Sequence, residues 1–204
     1  MLTIATAADG SPFLEVVDRP GLLLPGIAIR PLGRHEAAPV LEVFAGMSTH
    51  SRRMRFLTAV PVMTDSMLQR LTDIDHDVHG CWVATVGAEA VGLGRYVRLA
   101  EEPGTAEVAL DVVDRYQGHG LGKLLLEVVG AAAAIAGATS LYWVMDPANT
   151  RIRRLADPLG GRFALDYDAL EGTTPLPPVD CLDAARVARV ARSARRRAAL
   201  PSAA

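Results

Sequence analysis

Gly118, Gly120 and Gly122 fall on alternate positions of the segment Arg115-Tyr116-Gln117-Gly118-His119-Gly120-Leu121-Gly122-Lys123. Upstream, Ala106 to Val113 is largely apolar and reads as a strand. Downstream, Leu121, Leu124, Leu125, Val128 and Val129 repeat as one face of an amphipathic helix that Gly137 ends. The segment is therefore a glycine-rich turn from strand to helix, in which backbone N–H groups can approach a ligand and the helix N-terminus adds partial positive charge. Such a turn is a cradle for a pyrophosphate; a plain glycine-rich turn is the alternative. The Lys-Ser/Thr pair of a P-loop is missing at its spacing, as is the Gly-x-Gly-x-x-Gly of a parallel Rossmann unit.

The elements around this turn bound the fold. Leu2 to Val17 contains two extended pieces separated by Asp9-Gly10-Ser11-Pro12, which predicts a hairpin, and Pro20, Gly21, Pro25 and Gly26 read as a linker. A short strand over Ile27 to Arg30 is followed by helical spacing from His35 to Phe44 and again from Ser66 to Leu71, where Thr64 or Asp65 can cap the free N–H groups. Cys81 to Val86, Ala90 to Arg98 and Ala106 to Val113 make three antiparallel strands. After the long helix come a buried strand, Leu141 to Met145, and a short helix, Asn149 to Leu155. The order signals an α/β sandwich and not a barrel.

Charge excludes some partners. The 204 residues carry 21 Lys and Arg against 23 Asp and Glu, so no global field draws the chain to nucleic acid or an anionic membrane. Neither is an expected partner. Cys81 and Cys181 fit no disulfide framework or zinc cluster and read as free thiols. The N-terminus does not follow a leader pattern, and Val128 to Ala138, the longest apolar run, is shorter than the roughly 20 residues a bilayer requires. A cytoplasmic protein is expected.

Gln117-Gly118-His119-Gly120-Leu121-Gly122 resembles the Gln/Arg-x-x-Gly-x-Gly/Ala motif of the GNAT superfamily of acyl-CoA N-acyltransferases, and the resemblance runs from about Ile27 to Tyr167. It implies an α/β fold of the α+β kind, a mixed central sheet with splayed strands flanked by helices. It also implies acetyl-CoA as cosubstrate, with its pyrophosphate on Gln117, Gly118, His119, Gly120, Leu121, Gly122 and Lys123. The strand ahead of the motif would hold the pantetheine arm through backbone groups of Asp111, Val112 and Val113. Glu107 resembles the carboxylate that serves as general base in protein-acetylating members; a solvated strand Glu is the alternative. Asp146-Pro147-Ala148-Asn149-Thr150-Arg151, with Leu155 and Leu159-Gly160-Gly161-Arg162-Phe163, is similar to the second family motif and implies Asn149 facing the cofactor. Ala156 stands where many members carry a thiolate-protonating Tyr, and Asp157-Pro158 cuts the helix, so the general acid is unassigned.

Ser51-Arg52-Arg53-Met54-Arg55-Phe56 and Leu71-Thr72-Asp73-Ile74-Asp75-His76-Asp77 resemble the catalytic domain of Pat-type protein-lysine acetyltransferases. The resemblance implies N-acetylation of a protein lysine, such as one in an acyl-CoA synthetase, by a monomer or homodimer. The alternatives are a small amine as acceptor, or a CoA-sensing or interaction module that catalyses nothing. Asp73, Asp75, His76, Asp77 and His79 match no standard ligand spacing; no metal is expected, and the acidic loop would instead attract a lysine-bearing partner. The expected organisation is an N-terminal extension over 1–25, a GNAT domain over 26–170, and a Pro-rich linker with an Arg-rich helix over 171–204. That helix, Asp180 to Leu200, is expected to pack its Leu182, Val187 and Val190 side on the domain.

Overall fold

A computed structural model describes residues 1–199. The strands are β1 (Leu2–Thr6), β2 (Pro12–Val16), β3 (Ile27–Pro31), β4 (His79–Val86), β5 (Glu89–Arg98), β6 (Thr105–Val112), β7 (Ser140–Met145), β8 (Arg162–Asp166) and β9 (Ala169–Pro175). The helices are α1 (Ala38–Ala45), α2 (Thr49–Phe56), α3 (Asp65–Thr72), α4 (Leu121–Ile135), α5 (Thr150–Ala156) and α6 (Cys181–Ala198). One mixed sheet runs β1-β2-β3-β4-β5-β6-β7-β9-β8. Every pairing is antiparallel except β6 with β7.

Alternation along the strands sorts the core into two layers. Trp82, Tyr96, Val108, Leu141 and Trp143 point to the face covered by α4 and α6, in one cluster with Leu121, Leu124, Leu125, Val128, Val129, Val187 and Val190. Cys81, Val83 and Leu93 point the other way, against Val40, Val43 and Met47 of the α1 region. Gly94 stands on the α4 face, where an added Cβ would lie 2.5 Å from Cγ2 of Val129. Its missing side chain sets how closely α4 approaches the sheet.

The termini depart from the expected organisation. The first hairpin does not stand apart, because β2 pairs with β3 and so extends the main sheet. Residues from 171, read as the start of a linker, continue β9 to Pro175, and the β8–β9 hairpin was not foreseen. The α4 helix is buried almost all round, not on one face, since α6 covers the side away from the sheet. Leu182, expected in that contact, is 65% exposed, whereas Val187 and Val190 are fully buried. The buried carboxylate of Asp183 fixes this rotation by accepting the backbone N–H of Leu2 at 2.8 Å. The expected helix end at Leu200 lies outside the described residues. Among the described residues no helix is long and apolar enough to cross a membrane.

Replacing Gly94 by Val must push α4 outwards or strain the sheet. The unfolding free energy should fall by about 1–3 kcal/mol, read from denaturant unfolding. An unchanged midpoint would contradict the tight contact with Val129.

Candidate active site

Parallel pairing between β6 and β7 covers three positions only, Thr105 with Ser140, Ala106 with Leu141 and Glu107 with Tyr142. Thr105 Oγ1 lies 3.1 Å from Ser140 Oγ at the joined end, and Gly104 O accepts from Thr139 N and Ser140 N. Beyond Glu107 the two strands separate, which leaves an open edge along β6. The Val113 N–H donates to Val91 O at 3.0 Å. By the alternation of backbone groups along a strand, Asp111 and Val113 are turned towards β5, while Leu110 and Val112 face the opening. Of the three residues expected to offer backbone groups there, only Val112 has the right phase. Leu110, which the sequence reading missed, has it too.

The turn that follows is held from inside. Gln117 Nε2 donates to Val112 O at 2.9 Å and to Asp114 Oδ1 at 3.2 Å, so its side chain closes the loop. Gly118 and Gly120 have φ of 80° and 86°, a region L side chains rarely adopt. A Cβ on Gly118 would meet nothing within 4 Å, whereas one on Gly120 would lie 2.2 Å from Gly21 O. Gly120 caps α4 without a side-chain bond, and the first turn of α4 has no acidic residue. Among the described residues the N–H groups of Leu121, Gly122 and Lys123 find no acceptor, and Lys123 is exposed. A lysine in the first turn is electrostatically unfavourable on its own and becomes favourable beside an anion.

The linker residues form a strap behind this turn. Leu23 N donates to His119 O at 3.0 Å, and Arg19 pairs with Glu127 of α4 and, at 3.6 Å, with Asp183 of α6. His119 Nδ1 is buried without a partner. Composition alone marks Pro20 to Gly26 as a linker; only tertiary contact reveals the support.

On the face of the sheet towards α1–α3, Glu107, Ala109 and Asp111 follow one another along β6, opposite Val97, Arg95 and Leu93 of β5. Glu107 is half-buried and is the last residue in register before the strands part. Its neighbour Tyr142 donates its hydroxyl to the Glu171 carboxylate, which with burial pushes the phenol pKa up to about 12. Asp111 forms an ion pair of 2.8 Å with Arg55 of α2. Burial pushes the Cys81 thiol up to about 12, so it is neutral and inert here.

Asn149 stands at the N-terminus of α5, where its Oδ1 accepts Ile152 N at 3.2 Å. Ala156 is fully buried, and Asp157–Leu159 tightens into a 3₁₀ turn. The acidic loop is tied to neighbouring elements and to its own backbone. Asp73 pairs with Arg34, Asp77 with Arg195 and Arg98, and Asp75 Oδ1 accepts from Asp77 N and His79 N. His76 Nε2 lies 2.9 Å from Leu32 O, and burial holds its pKa below the ordinary histidine value. Asp73 and Asp75 stay exposed while making these contacts.

The model of the acetyltransferase (GNAT) family matches residues 49–160, more than half of the chain. The chain belongs to the GNAT acetyltransferase family. That GNAT match contains Glu107, the glycine turn and Asn149. Acetyltransferase PA5475 of Pseudomonas aeruginosa is 30% identical over 158 residues, covering 76% of this chain and 82% of that protein. Acetyltransferase Pat of Mycolicibacterium smegmatis is 31% identical over 120 residues, covering 57% of this chain and 36% of Pat, so the match takes in about a third of Pat. Among solved structures, the GNAT domain of S. lividans PAT superposes with a TM-score of 0.69 at 22% identity, over 86% of this chain and 97% of that domain.

The two glycines should respond differently to alanine. Gly118→Ala carries the backbone strain alone, about 1 kcal/mol, whereas Gly120→Ala adds collision with the strap and should cost about 1–3 kcal/mol more. Equal losses in denaturant unfolding would contradict the contact between Gly120 and Gly21.

Proposed function

We propose that this GNAT protein is an acetyl-CoA-dependent N-acetyltransferase whose acceptor is the amine of a protein lysine. The observation that carries the reading is that the parallel register ends at Glu107, so a carboxylate stands where the strands begin to part, with the uncapped N-terminus of α4 at the far end of the same strand. The residues present suit the cosubstrate. Leu110 and the N–H of Val112, whose carbonyl Gln117 takes up, offer backbone groups to an extended amide chain, and Gly118 to Lys123 offer open N–H groups and positive charge to a pyrophosphate. The proposed catalytic unit spans 26–170, with 1–25 and 171–204 as extensions, of which the strap around Arg19 to Leu24 and α6 brace α4.

Acetyl-CoA supplies an activated thioester. Glu107 receives the proton that the acceptor nitrogen loses as it bonds to the acyl carbon. With Ala156 in place of a tyrosine, no side chain of α5 protonates the departing thiolate, and solvent serves, since a thiol leaves readily near its own pKa. Asn149 orients α5 beside the opening through its cap. The lysine acceptor is supported by similarity to proteins named Pat.

Glu107→Gln keeps shape and removes the base. It should lower kcat by about 10²–10⁴-fold while acetyl-CoA affinity, measured by calorimetry, stays within about a factor of two. Thiol release is followed with a lysine-bearing acyl-CoA synthetase as acceptor. Full activity in the variant would remove Glu107 from the mechanism, and release with simple amines alone would overturn the lysine assignment.

A further inference from the structure

The sheet ends at β8, which among the described residues pairs with β9 alone. An edge strand presents a row of backbone donors and acceptors that its own sheet leaves unpaired, and it serves as a template for another strand unless it is shortened, bent or covered. Four of the five residues of β8 are exposed. Leu165 is 65% exposed, and Tyr167 in the following turn is 96% exposed, so apolar side chains stand beside the open backbone.

The phase of this edge follows from the hairpin. Tyr167 and Asp168 connect β8 to β9, with Asp166 opposite Ala169. Such a four-residue turn closes on a hydrogen-bonded pair, and along an antiparallel ladder bonded pairs alternate with non-bonded ones. Arg162, Ala164 and Asp166 therefore turn their backbone groups towards β9, while Phe163 and Leu165 turn theirs outwards. Side chains alternate as well. The row Glu107, Tyr142, Thr173, Arg162 crosses β6, β7, β9 and β8, so Arg162, Ala164 and Asp166 share the face of Glu107. Phe163 and Leu165 stand on the α4 face, where Phe163 packs against the main core.

The sequence of β8 is complementary to itself. When two copies are set antiparallel about Ala164, Arg162 of each meets Asp166 of the other, and Phe163 of each meets Leu165 of the other. Among the described residues neither Arg162 nor Asp166 has an ion-pair partner within 4.0 Å. Registers centred on Phe163 or Leu165 also keep the outward groups in phase, but only the one centred on Ala164 pairs all five residues. Charge on an edge ordinarily keeps other strands away. Here the two charges are opposite in sign and symmetric about Ala164, so they admit this strand in one register and oppose others.

We propose that β8 is the contact edge for a second copy of this chain, joined antiparallel about Ala164 so that one sheet runs through both copies. The Phe163–Leu165 pairs exchange backbone hydrogen bonds, and each exposed Leu165 gains an aromatic neighbour. A twofold axis standing on the sheet leaves both Glu107 faces on the same side. The opening between β6 and β7 is separated from the contact by β7 and β9, so each copy keeps its own site. This goes beyond the acetyltransferase reading and does not depend on it. A contact of one strand is smaller than a standard interface, so association depends on concentration.

Sedimentation velocity of the full chain, from low micromolar to several hundred micromolar, should show a monomer–dimer equilibrium. Arg162→Asp and Asp166→Arg each set like charges opposite one another at both ends of the contact and should raise the dissociation constant at least about tenfold. The double variant exchanges the charges and should return it close to the parent value. In a Cys181→Ser background, Ala164→Cys should form an intermolecular disulfide under mild oxidation, because facing residues of a non-hydrogen-bonded pair lie about 4.5 Å apart at Cα. Arg162→Cys should not, since the two copies of that position are displaced along the strand. Circular dichroism checks that each variant folds, and the cysteine variants decide the register even where a charge reversal does not fold. A monomer at every concentration overturns the proposal. So does a dimer that both single reversals leave intact, a folded double variant that stays dissociated, or a disulfide that forms at 162 and not at 164.

Discussion

The pairing of β6 with β7 that stops at Glu107 is the constraint on which the rest of the site depends. A sheet normally satisfies the backbone of a central strand on both sides. Here the joined end is fastened by Thr105, Ser140 and the Gly104 carbonyl, and beyond it β6 keeps β5 on one side and has an open edge on the other. An open edge in the middle of a nine-stranded sheet would invite a strand, so it must be protected or used. The turn after β6 does part of this, because Gln117 takes up the Val112 carbonyl, and α4 then begins with its own donors unmet. Both unmet sets lie along the same strand, and together they prepare a surface for an extended, anion-tipped ligand.

Everything packed behind this edge holds α4 still. The sheet supplies a flat approach at Gly94, and α6 covers the outer side with Val187 and Val190. The strap from Arg19 to Leu24 reaches from the hairpin to His119 and is tied down by Arg19 between Glu127 and Asp183. Asp183 in turn accepts the Leu2 N–H and pairs with Arg186, so one buried carboxylate joins β1, the strap and α6. The terminal segments are therefore part of the support of the glycine turn.

The turn and the helix after it were legible because their signals are local: alternating glycines, then apolar residues at helical spacing. The meander of β4, β5 and β6 was legible for the same reason, and Thr64 caps α3 as foreseen. Non-local features were not. Asp111 and Val112 differ by one position, and which of them faces the opening depends on a register that sequence does not contain. The β8–β9 hairpin was hidden because Leu165 and Tyr167 are strongly exposed, so β8 carries no core-facing alternation, and the prolines from Pro175 to Pro178 read as a linker. Leu182 was assigned to the wrong face since the rotation of α6 is set by Asp183, a polar contact across the chain.

The central claim is that the edge of β6 and the start of α4 form one continuous binding surface. Its most direct measurement is a residue-resolved amide NMR titration of the full chain with acetyl-CoA. The account predicts the largest shifts at Leu110, Val112 and the amides from Gly118 to Lys123, together and with one saturation curve. Absent binding, or shifts confined to residues away from β6 and the glycine turn, would contradict it.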